Sequence, residues 1–485
     1  MPCTTLLEGK KATFDGSTMI ARNEDSGGTG FAPKKFIVVK PEEQPRQYVS
    51  VISKVKIDLP DDPMRYTAMP NADPSEGNWS AAGVNTAGVS MTATETLTTN
   101  ERVLSGDPFE KGGIGEEDIV TLVLPYIRSA REGVERLGML LETYGTYEMN
   151  GIAFSDLDEV WWLETIGGHH WIARRVPDDC YAVAPNYFNL DEFDLDDALG
   201  AKKEHMASAD LKEFIADNHL DLSFEGDPFD ARQAFGSHSD ADHVYNTPRS
   251  WYIERYFNNH TYFWDGPHAD FTPRSDDIPF CMAPERKVTV EDVKYVLSAH
   301  YQGTTYDPYA SSSEPLHKGK LRPIGINRNN FLSLTQIRPD KPEPIRILEW
   351  VTMGSNVFNA FVPFYANVDK TPEYFANTTV KVTTESFYWA NRIIAAMADA
   401  SYAKCKAHIE RYQLAVQAEG WKIIKETDKQ FEALKHKTNA TAIRMQEKAN
   451  ERIAAMVREK TDDLLDKVLR ERSNQMKNAY ARADA

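Results

Sequence analysis

CTTLLEGKKATFDGSTMIARNED occupies residues 3–25. Two strand-like runs, CTTLLEGKKAT and STMIARNED, flank FDG, and Asp-Gly is a strong hairpin signal because it tolerates the positive φ angles of tight turns. The stretch is predicted to fold as a β-hairpin with its turn centred on Asp15 and Gly16. A hairpin returns the end of its second strand toward the start of its first, so ARNED should come near Cys3. With so tight a turn Asp25 falls opposite Leu6, about 10 Å along the strand from Cys3. A thiol, a guanidinium (Arg22) and a carboxylate (Asp25) are thereby gathered toward one end of the hairpin.

Cys3 is one of four cysteines, with Cys180, Cys281 and Cys405. A thiol is a good nucleophile only as thiolate, and a free cysteine near pKa 8.5 needs a base or a positive neighbour. An α-amino group titrates at about 7.7–8.0, close enough to neutrality to be that base. Were Cys3 the first residue of the mature chain, its own amine could take the thiol proton through a bridging water. Arg22 could then hold the thiolate, and Asp25 could orient the ammonium or its water. Taken singly, Cys3 reads equally well as a spectator near a chain end, and Arg22 and Asp25 as a surface ion pair. Met1 and Pro2 precede Cys3. Either a trimming step removes them or Cys3 attacks its own preceding peptide bond; otherwise the amine base is lost.

The 485-residue chain is 41% hydrophobic and 26% charged, an ordinary globular composition, with a formal net charge of −18. That acidity argues against nucleic acid and against anionic membrane as partners. No basic n-region with an apolar stretch opens the chain, and no apolar run reaches about eighteen residues. The cysteines are too few and scattered for a disulfide framework or a zinc site, so a reducing, cytoplasmic setting is expected.

Beyond the hairpin, FIVVK and YVSVISKVKIDL read as strands among Pro-rich turns, and WSAAGVNTAGVSMTATET as a second hairpin with closely approaching backbones. Residues 115–145 carry helical apolar spacing with an acidic start, and Pro125 and Gly133 are expected to split them. Residues 151–185 return to strands, with IGG turning into HHWIARRV. Residues 190–330 alternate helical patches with loops, and NNFLSLTQIRP, PIRILEWVTMG and NAFVPFYANV are again strand-like. From Thr383 the pattern is helical, and residues 401–480 read as a long helix pair. Helices and strands come in blocks, which favours α+β over a doubly wound sheet.

The opening CTTLLEGKKATFDGSTMIARNEDS resembles the start of the bacterial N-terminal-nucleophile cysteine dipeptidases of lactic acid bacteria. It is more distantly similar to the choloylglycine hydrolase group of bile-salt hydrolases and penicillin V acylases. WSAAGVNTAGVSMTATET, WWLETIGGHHWIARRVPDDCYAVAPN, YNTPRSWYIERYF, RPIGINRNN and WVTMGSNVFNAFVPFY follow in family order over roughly residues 3–400. The resemblance implies a four-layer αββα sandwich over residues 3–400 with a C-terminal helical extension over 401–485. It implies hydrolysis of short peptides, chiefly dipeptides, through an acyl-thioester. Carried over residue by residue, Cys3 is the nucleophile, Arg22 and Asp25 flank it, Asn186 donates into the oxyanion hole, and Arg249 is the remaining site arginine. Glu95 falls near an asparagine of the bile-salt hydrolases. A dipeptide has a free ammonium that a bile salt lacks, so Glu95 is expected to bind it.

No cofactor is implied. His169 and His170 are predicted on a strand and so on opposite faces, unable to share one metal. Cys180 reads as a half-buried spectator thiol. Two alternatives stand beside the dipeptidase: an acylase of the same fold acting on N-acyl substrates, and a non-catalytic, secernin-like interaction protein. The terminal helices serve either as a solvated face or as a surface that packs subunits into a homo-oligomer.

Overall fold

The computed structural model describes residues 3–28, 30–310 and 317–478. Its strands are, in chain order, β1 (Cys3–Glu8), β2 (Thr18–Asp25), β3 (Ile37–Val39), β4 (Gln47–Val49), β5 (Lys56–Asp58), β6 (Tyr66–Ala68), β7 (Ala82–Val84), β8 (Ser90–Thr96), β9 (Asn150–Ser155), β10 (Val160–Thr165), β11 (Trp171–Arg175), β12 (Tyr181–Ala184), β13 (His205–Ala207), β14 (Cys281–Met282), β15 (Asn329–Ile337), β16 (Ile347–Met353) and β17 (Val362–Tyr365). Two large antiparallel sheets run β14-β12-β1-β2-β15-β16-β17 and β13-β11-β10-β9-β8-β7, with two small ribbons, β3-β6 and β4-β5, beside them. The class is α+β.

Period-2 alternation explains how the layers stack. Leu7 and Ile20 point from the first sheet into a core shared with Ala153, Trp162 and Ile172 of the second. Leu6, Ala21, Leu334 and Trp350 point the other way, into a core shared with helices Phe387–Asp399, Tyr402–Glu432 and Asn439–Ser473. On the outer face of the second sheet, Phe154, Trp161 and Leu163 pack under helices Glu116–Val123 and Ala130–Tyr144.

The first hairpin forms in a different register from the one expected. Cys3 pairs with Glu24, Thr5 with Arg22 and Leu6 with Ala21, so Asp25 is not opposite Leu6. Residues 9–13 leave the hairpin instead of continuing it. Gly9 N donates to Cys180 O at 2.9 Å, Lys11 N and Ala12 N both donate to Asp178 O, and Thr13 bridges to Val288. Pro125 does break the helical block, at a 3₁₀ turn over Leu124–Tyr126. Gly133 does not. It lies inside helix Ala130–Tyr144, where an added Cβ would come within 2.4 Å of the Phe154 ring, so this glycine serves close helix–sheet packing.

The two long C-terminal helices close the outer edge of the first sheet. Trp421 meets Trp350 with ring centroids 4.8 Å apart. The Asn450 side chain bonds both backbone groups of Tyr365 on edge strand β17, at 2.9 and 3.0 Å, satisfying groups that an open edge would leave exposed.

Glu349, on β16, is fully buried and accepts a hydrogen bond from Thr67 Oγ1 at 2.9 Å. Burial pushes its carboxyl up to about 8 from an ordinary 4.5. The folded chain therefore holds a proton that the unfolded chain loses near 4.5, and the stability from that neutral acid falls as pH rises toward 8. Thermal melts should show a smaller loss of stability between pH 5 and pH 8 for Glu349→Gln than for the parent. Parallel pH slopes would count against this.

Candidate active site

Paired residues in an antiparallel sheet share a face. Cys3, Thr5, Arg22 and Glu24 therefore lie on the same face as Leu7 and Ile20, the one turned toward the second sheet. Cys3 is the first residue of β1 and is buried. Arg22 Nη2 donates to Cys3 Sγ at 3.0 Å. The same guanidinium bonds Glu24 Oε2 at 3.2 Å and Glu116 Oε1 at 3.0 Å. Lys34 Nζ completes the set, 2.8 Å from Glu24 Oε1 and 3.0 Å from Trp79 O. Two cations and two carboxylates, none more than 3% exposed, thus balance one another beside the sulfur. Burial lowers the Lys34 pKa, and the Glu24 charge opposes the shift.

A guanidinium in contact with a buried sulfur favours its anionic form. Glu24 and Glu116 orient that guanidinium. Glu148 lies behind them and accepts the Glu116 N–H at 2.8 Å. Burial, followed by the Glu116 charge, pushes its carboxyl up to about 7.

Asn186 and Arg249 hold the backbone of Cys3. Asn186 follows β12 and Pro185. Its Oδ1 accepts from Cys3 N at 2.9 Å and from Arg249 Nη2 at 2.9 Å, while its Nδ2 donates to Thr96 O at 3.0 Å. Arg249, on helix Thr247–Phe257, donates through Nη1 to Cys3 O and to Thr4 Oγ1, the latter at 2.7 Å. Cys3 is thereby gripped at its nitrogen, its carbonyl and its sulfur by side chains from β2, from the segment after β12 and from a helix.

Asp25 is placed differently. Alternation along β2 puts it on the face opposite Arg22 and Glu24, and its carboxylate accepts from Arg322 Nη2 and from Asn329 Nδ2, the latter at 3.0 Å. Glu95 lies in β8 opposite Gly151, and its side chain is outside the described residues. His169 and His170 precede β11 instead of lying within it, and both Nδ1 atoms face Asp107, at 3.3 and 2.8 Å. Their expected divergence to opposite faces does not occur, because they belong to a turn and not to a pleated strand. Among the described residues no three His, Cys, Asp or Glu side chains converge as metal ligands, and no helix is long and apolar enough to cross a membrane.

Residues 2–415 match the model described as Peptidase family C69. The chain belongs to peptidase family C69. It is 53% identical over its full length to a Bifidobacterium longum protein named "Dipeptidase", which it covers completely. It is 50% identical to a Streptococcus pyogenes serotype M3 protein named "Probable dipeptidase A", with 100% of each chain covered. It is 46% identical to "Dipeptidase A" of Lactobacillus helveticus, covering 97% of this chain and 96% of that one.

Sequence reading of this C69 chain did not single out Glu24, Lys34 or Glu116. Glu116 sits in GEED, where acidic residues at a helix start are expected for the helix dipole alone. Lys34 is distant in sequence and meets Glu24 only through the tertiary fold. The charge balance makes a testable claim. Removing one partner of a buried ion network destabilises by about 3–5 kcal/mol, because the remaining charges are left uncompensated. Arg22→Met should lower the unfolding free energy in urea by about that amount, and adding Glu116→Gln should restore part of it. Losses that simply add would contradict the shared network.

Proposed function

We propose that this chain is a cysteine dipeptidase with the four-layer αββα fold of N-terminal-nucleophile hydrolases, acting through an acyl-thioester on Cys3. The relatives named as dipeptidases support the substrate class. The succession of two facing antiparallel sheets between helical layers supports the fold. The observation that carries the chemistry is the 3.0 Å contact of Arg22 Nη2 with Cys3 Sγ, made while the nitrogen of the same residue is held on Asn186 Oδ1.

Loss of residues 1 and 2 would turn that peptide nitrogen into an α-amine. The amine takes the thiol proton through a water, and the thiolate, steadied by Arg22, attacks the scissile carbonyl of the dipeptide. A C–S bond forms, and the carbonyl electrons move onto oxygen. Asn186 Nδ2 is the donor assigned to that oxyanion. The protonated amine gives its proton to the leaving nitrogen as the C–N bond breaks, and the departing product is an amino acid. Water, deprotonated by the same amine, then attacks the thioester and releases the second amino acid. Arg249 fixes the Cys3 carbonyl, so the amine and the thiol keep one mutual geometry throughout. Asp25 holds the end of β2 through Arg322 and Asn329. Glu95 is assigned to the substrate ammonium, since its neighbour Thr96 is bonded by Asn186.

The test is turnover of free and N-acetylated dipeptides by the parent, Cys3→Ala and Asn186→Ala proteins. The parent should cleave free dipeptides and lose activity on the N-acetylated ones. Cys3→Ala should be inactive, and Asn186→Ala should lose about 10²–10³ in kcat. Undiminished turnover by Cys3→Ala would remove the thiol from the reaction. Preference for N-acetylated substrates would make the chain an acylase.

A further inference from the structure

Asn246 stands immediately before helix Thr247–Phe257, where an asparagine ordinarily caps the helix with its side chain. Here it makes no side-chain cap. Its amide is turned into the protein and is 4% exposed at residue level. Oδ1 accepts from Asn186 N at 3.1 Å and from Arg249 Nη2. Nδ2 donates to Asn186 O at 3.1 Å and to Asp242 Oδ1. Two donors meet the oxygen and two acceptors meet the nitrogen, which fixes the orientation of the amide and fills its hydrogen-bonding capacity.

Only a side-chain amide satisfies that pattern. An aspartate would set an oxygen against the Asn186 carbonyl and the Asp242 carboxylate. A serine has one hydrogen to give where two are taken. Glutamine is one methylene too long to keep the two-point grip on the Asn186 peptide.

We propose that Asn246 is a positioning residue for the reaction: it clamps the Asn186 peptide from both sides and ties it to Arg249, and so aims the Asn186 amide at the oxyanion. The inference rests on Asn186 acting as the oxyanion donor, as proposed above. Asn246 touches neither substrate nor sulfur, so its effect passes through Asn186, whose Oδ1 Arg249 also holds. Asp242, which opens onto a cavity of about 690 Å³, anchors the amide from the far side.

The test is a double-mutant cycle on kcat and KM for a free dipeptide, with Asn186→Ala, Asn246→Ala and the two combined. Asn246→Ala should lower kcat about tenfold or more with KM within about threefold, and should cost less than about twofold in the Asn186→Ala background. Asp242→Ala should lower kcat in the same manner, while Asp242→Asn, which keeps an acceptor for Nδ2, should retain it. This pair serves if Asn246→Ala fails to fold. Losses that multiply in the cycle, or parent-like kcat in Asn246→Ala or Asp242→Ala, would overturn the inference and leave the role of Asn186 standing. Parent-like kcat in Asn186→Ala alone would instead overturn the reading of Asn186 on which it rests.

Discussion

Arg22 brings a full positive charge to a sulfur atom that solvent does not reach, and it is tolerated there because two buried carboxylates share it. Glu24 and Glu116 hold the guanidinium, and Lys34 balances the second negative charge. A lone charge at such depth would be driven out or neutralised, since desolvation is worth several kcal/mol per ion. As a neutral set of four, the ions can stay, and their rigidity is what a reacting thiol needs. On the proposed mechanism the donor is in place before charge develops on sulfur, so little reorganisation would accompany the step.

The sheets make this arrangement available. Pairing of β1 with β2 places Cys3 across from Glu24 and near Arg22 on one face, and β15 on the other side of β2 keeps that strand from shifting. β8 and β9 of the second sheet lie against the same face. β12, alongside β1, leads directly to Asn186. Glu116 comes from the start of a helix in the layer beyond the second sheet. The site is therefore assembled from all the layers, and its members are separated by up to 246 residues, as with Arg249 and Cys3.

Much of this was legible in the sequence where local patterning governs. The two strands around FDG, the hairpin over residues 79–96, the break at Pro125, the strands over 151–185 and the long terminal helices all follow from alternation, helical spacing and turn residues. Register did not follow, because residues 9–13 bond to Asp178, Cys180 and Val288, which no local rule anticipates. That displacement moves Glu24 along the thiol face, from opposite Leu7 to opposite Cys3, and leaves Asp25 on the other face in either register. Gly133 was read as a breaker because its packing partner, Phe154, is supplied by a strand beyond the helix. Cys3 and Arg22 were reached from the hairpin and the chemistry of a thiol, Asn186 and Arg249 through family resemblance, and the structure brings those four together. Lys34, Glu116 and Asn246 stayed hidden because each looks ordinary in sequence, and only contacts made at long range distinguish them.

The central claim is that the thiol and the α-amine of one residue share the work of breaking an amide. Intact-protein mass spectrometry of material whose specific activity on a dipeptide is at its maximum tests this most directly. The account expects the active species to begin at Cys3, with Met1 and Pro2 gone. Full activity in protein that still carries those two residues would contradict it and would require another base at the site.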